Sequence, residues 1–504
     1  MNDPMLPLSG LSPVASKKVV VNFDGGLLSS DGGIVVLREV EQRLGVADRM
    51  AACFVDPRAP DQITHTLAAI MRFRLLMIAA GYEDGNDADT LRGDPMFKMA
   101  LDLSPSDRKL CSQPTISRLE NLPDARALLR LGRAMVDLYC ESFHQVPGRI
   151  TLDIDDTFDA VHGGQQLRLF NAHYDEYGFQ PIVVFDGAGR FITAVLRPAK
   201  RPSGKEIVPI LRRLLRAIRT NWPRTTIMLR ADSHYCCPEV LDFCRANGLD
   251  YILGVAPTTT LRRHVGDLEA SVKARYEAAP KDGKARRYKE FYDGAASWSR
   301  VERVIARVEA GAEGLDTRFV VTNLVKRNAR RLYEDDYCRR GQAENHIKSW
   351  KTHLAADRTS CTRATANQLR LFLHAGAYWI MWGLRVSMPK KSMWRVAQFD
   401  TPPVPRQNRR ARRRDENNDP RAVADIVSRA TDFALCAGAN PAPRHVTGGP
   451  RRPGHPTIPV NLQTLSNPHA GPPPVRRGVS GKWRKRNPIT PKRRFERREG
   501  QRAE

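Results

Sequence analysis

Between residues 34 and 143 apolar side chains recur at three- and four-residue steps, as in Ile63, Leu67, Ile70 and Met71 and again in Leu128, Leu131, Met135 and Leu138. That period predicts helices. Between the two runs lies CSQPTISRLEN (111–121), with a polar cap, Pro114 near a helix start, small hydroxylated residues and Arg118. Such a helix suits either a DNA-facing element of helix-turn-helix type or an ordinary capped helix in a bundle. From Arg149 the pattern changes. ITLDIDDT (150–157) alternates like a strand, and PIVVFD (181–186) and RFITAVLR (190–197) flank a turn containing Asp-Gly. A helical apolar stripe over 206–220 follows, then a strand at 225–232, a helix at 238–246 and a strand at 250–255. Three strands, then helix, strand, helix, strand predict an α/β sheet domain of ribonuclease H type. Alternating text such as SWSRVERVIARVE within 256–320 predicts an inserted antiparallel patch, and two helices are predicted after it, at 333–352 and 364–384.

Composition narrows the partners. Among 504 residues, 81 Lys and Arg stand against 55 Asp and Glu, a formal charge of +26. An excess of this size points to a polyanion, with nucleic acid first and an anionic membrane surface second. The longest apolar stretch, 369–384, carries Arg370 and His374 and is too short and too polar to span a bilayer. The first residues lack a charged start followed by an apolar run, so a cytoplasmic protein is expected. Nine scattered cysteines with no Cys-x-x-Cys pair favour reduced thiols over disulfides or structural zinc. Residues 401–504 hold 23 Lys and Arg against 8 Asp and Glu, together with 16 of the 35 prolines. That composition predicts a largely disordered basic tail, with one short helix possible at 419–433.

The candidate chemistry lies in the acids. Asp153 and Asp155 are two apart on one predicted strand and project to the same face, whereas Asp156 projects to the other. Asp232 ends a second strand, where open α/β sheets place ligand-handling groups. Glu344 falls in a later helix with basic neighbours. Converging carboxylates would hold Mg²⁺ or Mn²⁺, hard cations that take oxygen ligands, and two such ions support phosphodiester cleavage. Each acid also has a plainer role: Asp153 and Asp156 as salt-bridging residues, Asp232 as a helix cap, Glu344 as a partner of Lys348. The set becomes specific in YCRRGQAENHIKSWK (337–351), where Tyr337, Arg340, Glu344, Lys348 and Lys351 are three or four apart and share one helical face. That face presents one carboxylate among donors able to hold phosphates.

The spacing Tyr337, Arg340, Glu344, Lys351 resembles the third motif of bacterial DDE transposases of the insertion-sequence 4 superfamily. FDGGLLSSDGG, QPTISRLEN, LDIDDTFDAVHGGQ, LRADSHYCCPEVLDFCRANGLDYILGV and YCRRGQAENHIK occur in the order seen in the insertion-sequence 1380 family, over about residues 20–400. The resemblance implies a ribonuclease H-like catalytic core, binding to terminal inverted repeats, and strand cleavage and transfer with two Mg²⁺ or Mn²⁺ ions. It maps the three catalytic acids onto Asp155, Asp232 and Glu344, with Asp153 the competing first acid. It implies double-stranded DNA partners, both element ends and target, a homodimer on the DNA, no membrane, and a bacterial, nucleoid-associated setting. It also makes Trp298, in the insertion, the candidate for stacking on a flipped base, against the plainer role of filling the insertion's own core.

The expected organisation is therefore a mainly helical, DNA-binding region at 1–145, a mixed-sheet catalytic domain at 146–390 with a β-rich insertion at about 256–325, and a disordered tail at 391–504. The expected activity is cut-and-paste transposition. Near Phe399–Thr401 the chain departs from its relatives, which continue with a basic helical segment, and a changed reading frame would account for that. A catalytically impaired DNA-binding remnant is the alternative function. A ribonuclease H relative that cleaves RNA is set apart by Tyr337, Arg340 and Lys351 and by the long insertion.

Overall fold

The computed structural model describes residues 29–278 and 283–388. The N-terminal part is helical: α1 (Ile34–Leu44), α2 (Val46–Ala51), α3 (Leu67–Ala79), α4 (Gln113–Glu120) and α5 (Ala125–Glu141), with shorter turns between. Starts follow local chemistry. Thr66 accepts from the Ala69 amide ahead of α3, Asp124 accepts from Ala127 ahead of α5, and Pro114 occupies the first turn of α4.

Eight strands then form one mixed sheet among the described residues: β1 (Arg149–Asp156), β2 (Ile182–Asp186), β3 (Phe191–Val195), β4 (Thr226–Ala231), β5 (Asp250–Val255), β6 (Ala285–Asp293), β7 (Glu302–Gly311) and β8 (Gly314–Thr322). Their spatial order is β3-β2-β1-β4-β5-β8-β7-β6. The β1–β2 and β2–β3 pairs are antiparallel, while β4 lies parallel to both β1 and β5. Three strands in a meander with two parallel strands added at the far side of β1 are consistent with a ribonuclease H-like fold. The connections to and from β4 are helical, α6 (Gly204–Asn221) and α7 (Pro238–Ala246), as parallel crossovers require. A capping box between Ser203 and Glu206 starts α6, which buries Ile207, Leu211, Leu214 and Ile218 and turns Arg212, Arg213 and Arg216 outward.

Two elements differ from their sequence expectation. The segment after β5 is not a separate patch: after a short helical turn at Thr259–Arg263 it forms a helix, α8 (Gly266–Ala278), and its strands join the main sheet because β8 pairs antiparallel with β5 through Phe319–Thr322. The expected continuous helix at 333–352 is broken into a π-helical turn (Leu332–Tyr337), a 3₁₀ turn (Cys338–Arg340) and α9 (Gly341–Leu354). Tyr337 therefore lies outside the regular period of α9.

The last described helix, α10 (Ala364–Ser387), is buried along almost its whole length. It packs on α1, α2 and α3 as well as on β3 and α5. One hydrophobic cluster consequently runs from Ile34 in α1 through the sheet to Leu384 in α10. An all-round apolar helix belongs in such a core, and no helix among the described residues is long and apolar enough to cross a membrane. The basic tail, the candidate helix at 419–433 and the departure near Thr401 lie outside the described residues.

Candidate active site

The acids on β1 have separate fates. Asp153 is 2% exposed, and both of its oxygens are taken by Arg230, its register neighbour on β4: Nε to Oδ1 at 2.5 Å and Nη2 to Oδ2 at 2.7 Å. Arg230 also donates to the Asp336 carbonyl and so ties the π-helical turn to the sheet. Asp153 thus has the salt-bridging role. Asp155, one pleat nearer the end of the strand, lines a cleft instead. Asp156, next along the chain and also bordering the cleft, accepts from the Gln180 amide and lies 3.2 Å from Nδ1 of His234. Burial alone would raise its pKa, but these bonds hold it below the ordinary aspartate value.

Asp232 follows the last residue of β4, and its Oδ1 accepts the His234 amide at 2.9 Å. Glu344 sits in the first turn of α9, 59% exposed at the side chain. Between the first and third acids lies Arg340, with Nη1 at 2.9 Å from Oδ2 of Asp155 and Nη2 at 2.6 Å from Oε1 of Glu344. The partner of Glu344 is therefore Arg340 rather than Lys348. Burial pushes the Asp155 carboxyl up to about 7; Arg340 opposes the shift, and the negative charges of Asp232 and Asp156 add to it.

Among the described residues no three His, Cys, Asp or Glu side chains stand close enough to share an ion; the guanidinium of Arg340 lies between Asp155 and Glu344. The donor chemistry nevertheless fits a hard divalent cation. All three acids offer carboxylate oxygens, and a buried carboxylate beside two like charges is a place where a cation is favoured.

The cleft has a volume of about 770 Å³ and is lined by Asp155, Asp156, Thr157 and Glu344 together with Lys348, Lys351 and Arg358. Lys348 is exposed on its wall. Lys351 is not free in the same way. Its ammonium meets Oδ1 of Asp159 at 2.9 Å, the Phe158 carbonyl at 2.6 Å and Oγ1 of Thr157 at 3.2 Å. Two hydrogen bonds and one ion pair thus fasten α9 to the segment leaving β1. Tyr337 packs its hydroxyl over Gly254 of β5, where an added Cβ would come within 2.7 Å of it, so β5 needs a glycine there for the π-helical turn to dock. Trp298 is half-buried against the main core, with its amide on the Ala295 carbonyl. Arg118, on α4, donates to Oγ1 of Thr115.

Residues outside the motif set the position of α9. Gly189, in the β2–β3 turn at φ +82°, lies against the His346 ring, which a Cβ would approach to 2.5 Å, and its carbonyl accepts from Tyr378 on α10. His346 is 4% exposed, and burial, aided by the charge of Arg385, lowers its pKa to about 4. Its folded pKa lies below the unfolded value, so the unfolded state binds the proton first and stability falls as pH drops from about 6.5 to about 4. The contribution is roughly 3 kcal/mol at most. Urea unfolding at pH 7 and pH 4.5 should therefore show a steeper acid loss for wild type than for His346→Leu; equal losses would assign the acid sensitivity elsewhere. Reading the sequence also missed Asp159, the buried partner of Lys351, and the His234 and Gln180 contacts of Asp156, because each joins residues far apart in the chain. Only the adjacency of Asp156 to Asp155 hinted at the second.

The model of the transposase DDE domain, group 1, matches residues 11–402, and the chain belongs to that family. It is a DDE-type transposase enzyme, of a class that generally uses divalent metal ions. Among solved structures, the cryo-EM structure of a piggyBac transposase synaptic complex with hairpin DNA is similar at 10% identity and a TM-score of 0.38, over 82% of this chain and 83% of that chain. No curated protein matches.

Proposed function

We propose that this transposase belongs to the insertion-sequence 1380 type, binds the terminal inverted repeats of a bacterial element as double-stranded DNA, and moves it by cut-and-paste, with Asp155, Asp232 and Glu344 as the catalytic acids. The observation that carries the reading is the meeting of Asp155, Glu344 and Arg340 at one cleft, with Asp232 at the adjacent strand end. Water attacks the phosphodiester at the element end, and the freed 3′-hydroxyl then attacks target DNA. Asp155, Asp232 and Glu344 would hold Mg²⁺ or Mn²⁺, two ions per site, and the bound metal would supply activation of the attacking oxygen and stabilisation of the leaving one. Arg340 neutralises Asp155 and Glu344 in the chain alone, and a scissile phosphate gives its guanidinium a bidentate partner. Lys348 and Arg358 offer cations along the cleft for flanking phosphates. Lys351 acts as a positioning residue, holding α9 and its Glu344 against the end of β1. Two copies of the chain, one per element end, suit a reaction that joins both ends to one target.

The test is a labelled duplex carrying the inverted repeat that brackets the gene. Full-length protein should bind it and nick it at the element end with Mg²⁺ and not with EDTA. Binding without nicking under any divalent ion would contradict the enzyme reading in favour of a DNA-binding remnant.

A further inference from the structure

Five of the fourteen large apolar side chains exposed among the described residues fall within eleven positions: Leu167, Leu169, Phe170, Tyr174 and Tyr177. None of them belongs to, or packs on, a hydrophobic cluster of the core. They lie on a small antiparallel sheet of three strands, Asp159–Ala160, Leu169–Asn171 and Glu176–Phe179, inserted between β1 and β2 and beginning four residues after Asp155. An exposed apolar cluster of this kind marks an interaction surface.

The cluster is ordered. Phe170 and Tyr177 are register partners with rings edge to face at 5.3 Å, and the guanidinium of Arg168 sits 4.5 Å from the centre of the Tyr177 ring. Tyr174 stacks flat on Phe158, with centroids 4.2 Å apart and planes 11° apart. The ribbon is tied at its base: the Gln166 amide bonds to the Thr362 carbonyl, and Asn171 donates to the Ala199 carbonyl. It is also continuous with the cleft, because the carbonyl of Phe158 is held by Lys351 and Thr157 lines the cleft wall.

Resting on the transposase reading above, we infer that this ribbon is a stacking surface for unpaired bases of the DNA strand at the cleaved end. Aromatic faces flanked by an arginine are the chemistry that holds bases irrespective of sequence, since every base has a π face. Continuity with the acid-bearing cleft places such a surface where strands are opened for cutting, and favours DNA over a second copy of the chain as the occupant.

The experiment compares two probes with the full-length chain: the paired inverted-repeat duplex, and the same duplex with a four-nucleotide unpaired end carrying 2-aminopurine. Phe170→Ala/Tyr177→Ala should lose about tenfold or more in affinity for the unpaired-end probe. It should bind the paired duplex as wild type does, and Tyr177→Phe should retain both affinities. The fluorescence of the probe should fall on binding to wild type and not to the double variant. Unchanged binding of the unpaired-end probe by the double variant would overturn the stacking surface alone. So would an equal loss on both probes, or a loss accompanied by dissociation of a dimer in sedimentation, which would make the ribbon a contact between copies. Wild type that binds neither probe would overturn the transposase reading on this element, and this inference with it.

Discussion

Glu344→Gln is expected to lower metal-dependent strand cleavage by on the order of 10²–10³-fold or more while leaving the fold intact. The substitution keeps shape and hydrogen bonding but removes the charge that, on the proposed assignment, would hold a cation beside Asp155 and Asp232. The cost to stability is small, because the side chain is 59% exposed and its ion pair with Arg340 spans a single helical turn. Single-turnover nicking of the labelled end, run beside a thermal melt, separates the two effects. Nicking within a few-fold of wild type would remove Glu344 from the catalytic set.

Arg230→Met is expected to destabilise the protein by about 3–5 kcal/mol, since it strands the carboxylate of Asp153 in the sheet without a counter-ion. The loss comes from the unpaired charge rather than from the missing attraction. Replacing both members, Arg230→Met with Asp153→Leu, should therefore recover most of the stability. Urea midpoints of the wild type, the single variant and the double variant measure this. A single variant as stable as wild type would mean that Asp153 has another source of neutralisation.

Much of the sheet was legible because strand and helix periods are local properties. The strands at 150–157, 181–186 and 250–255 and the helix at 238–246 fall within a residue or two of β1, β2, β5 and α7. The joining of the insertion to β5 was not legible, since pairing between Phe319 and Val255 depends on register between distant segments. Nor was the break before α9, where the even spacing of Tyr337 and Arg340 matches a helix that the chain does not form. The acids divide in the same way. Their placement at strand ends follows from alternation, but the choice between Asp153 and Asp155 rests on Arg230, 77 positions from Asp153, whose side chain occupies one acid and leaves the other to the cleft. Lys351 reads as a free cation in sequence because its partner Asp159 is reached only through the fold.

The most direct measurement of the central claim sets Asp155→Asn against the double variant Arg230→Met/Asp153→Leu in Mg²⁺-dependent nicking of the inverted-repeat duplex. If Asp155, Asp232 and Glu344 carry the chemistry, Asp155→Asn folds and binds the duplex but does not cut it, while the double variant cuts at a rate near that of wild type. Cutting by Asp155→Asn together with an inactive, folded double variant would contradict the assignment and make Asp153 the first acid.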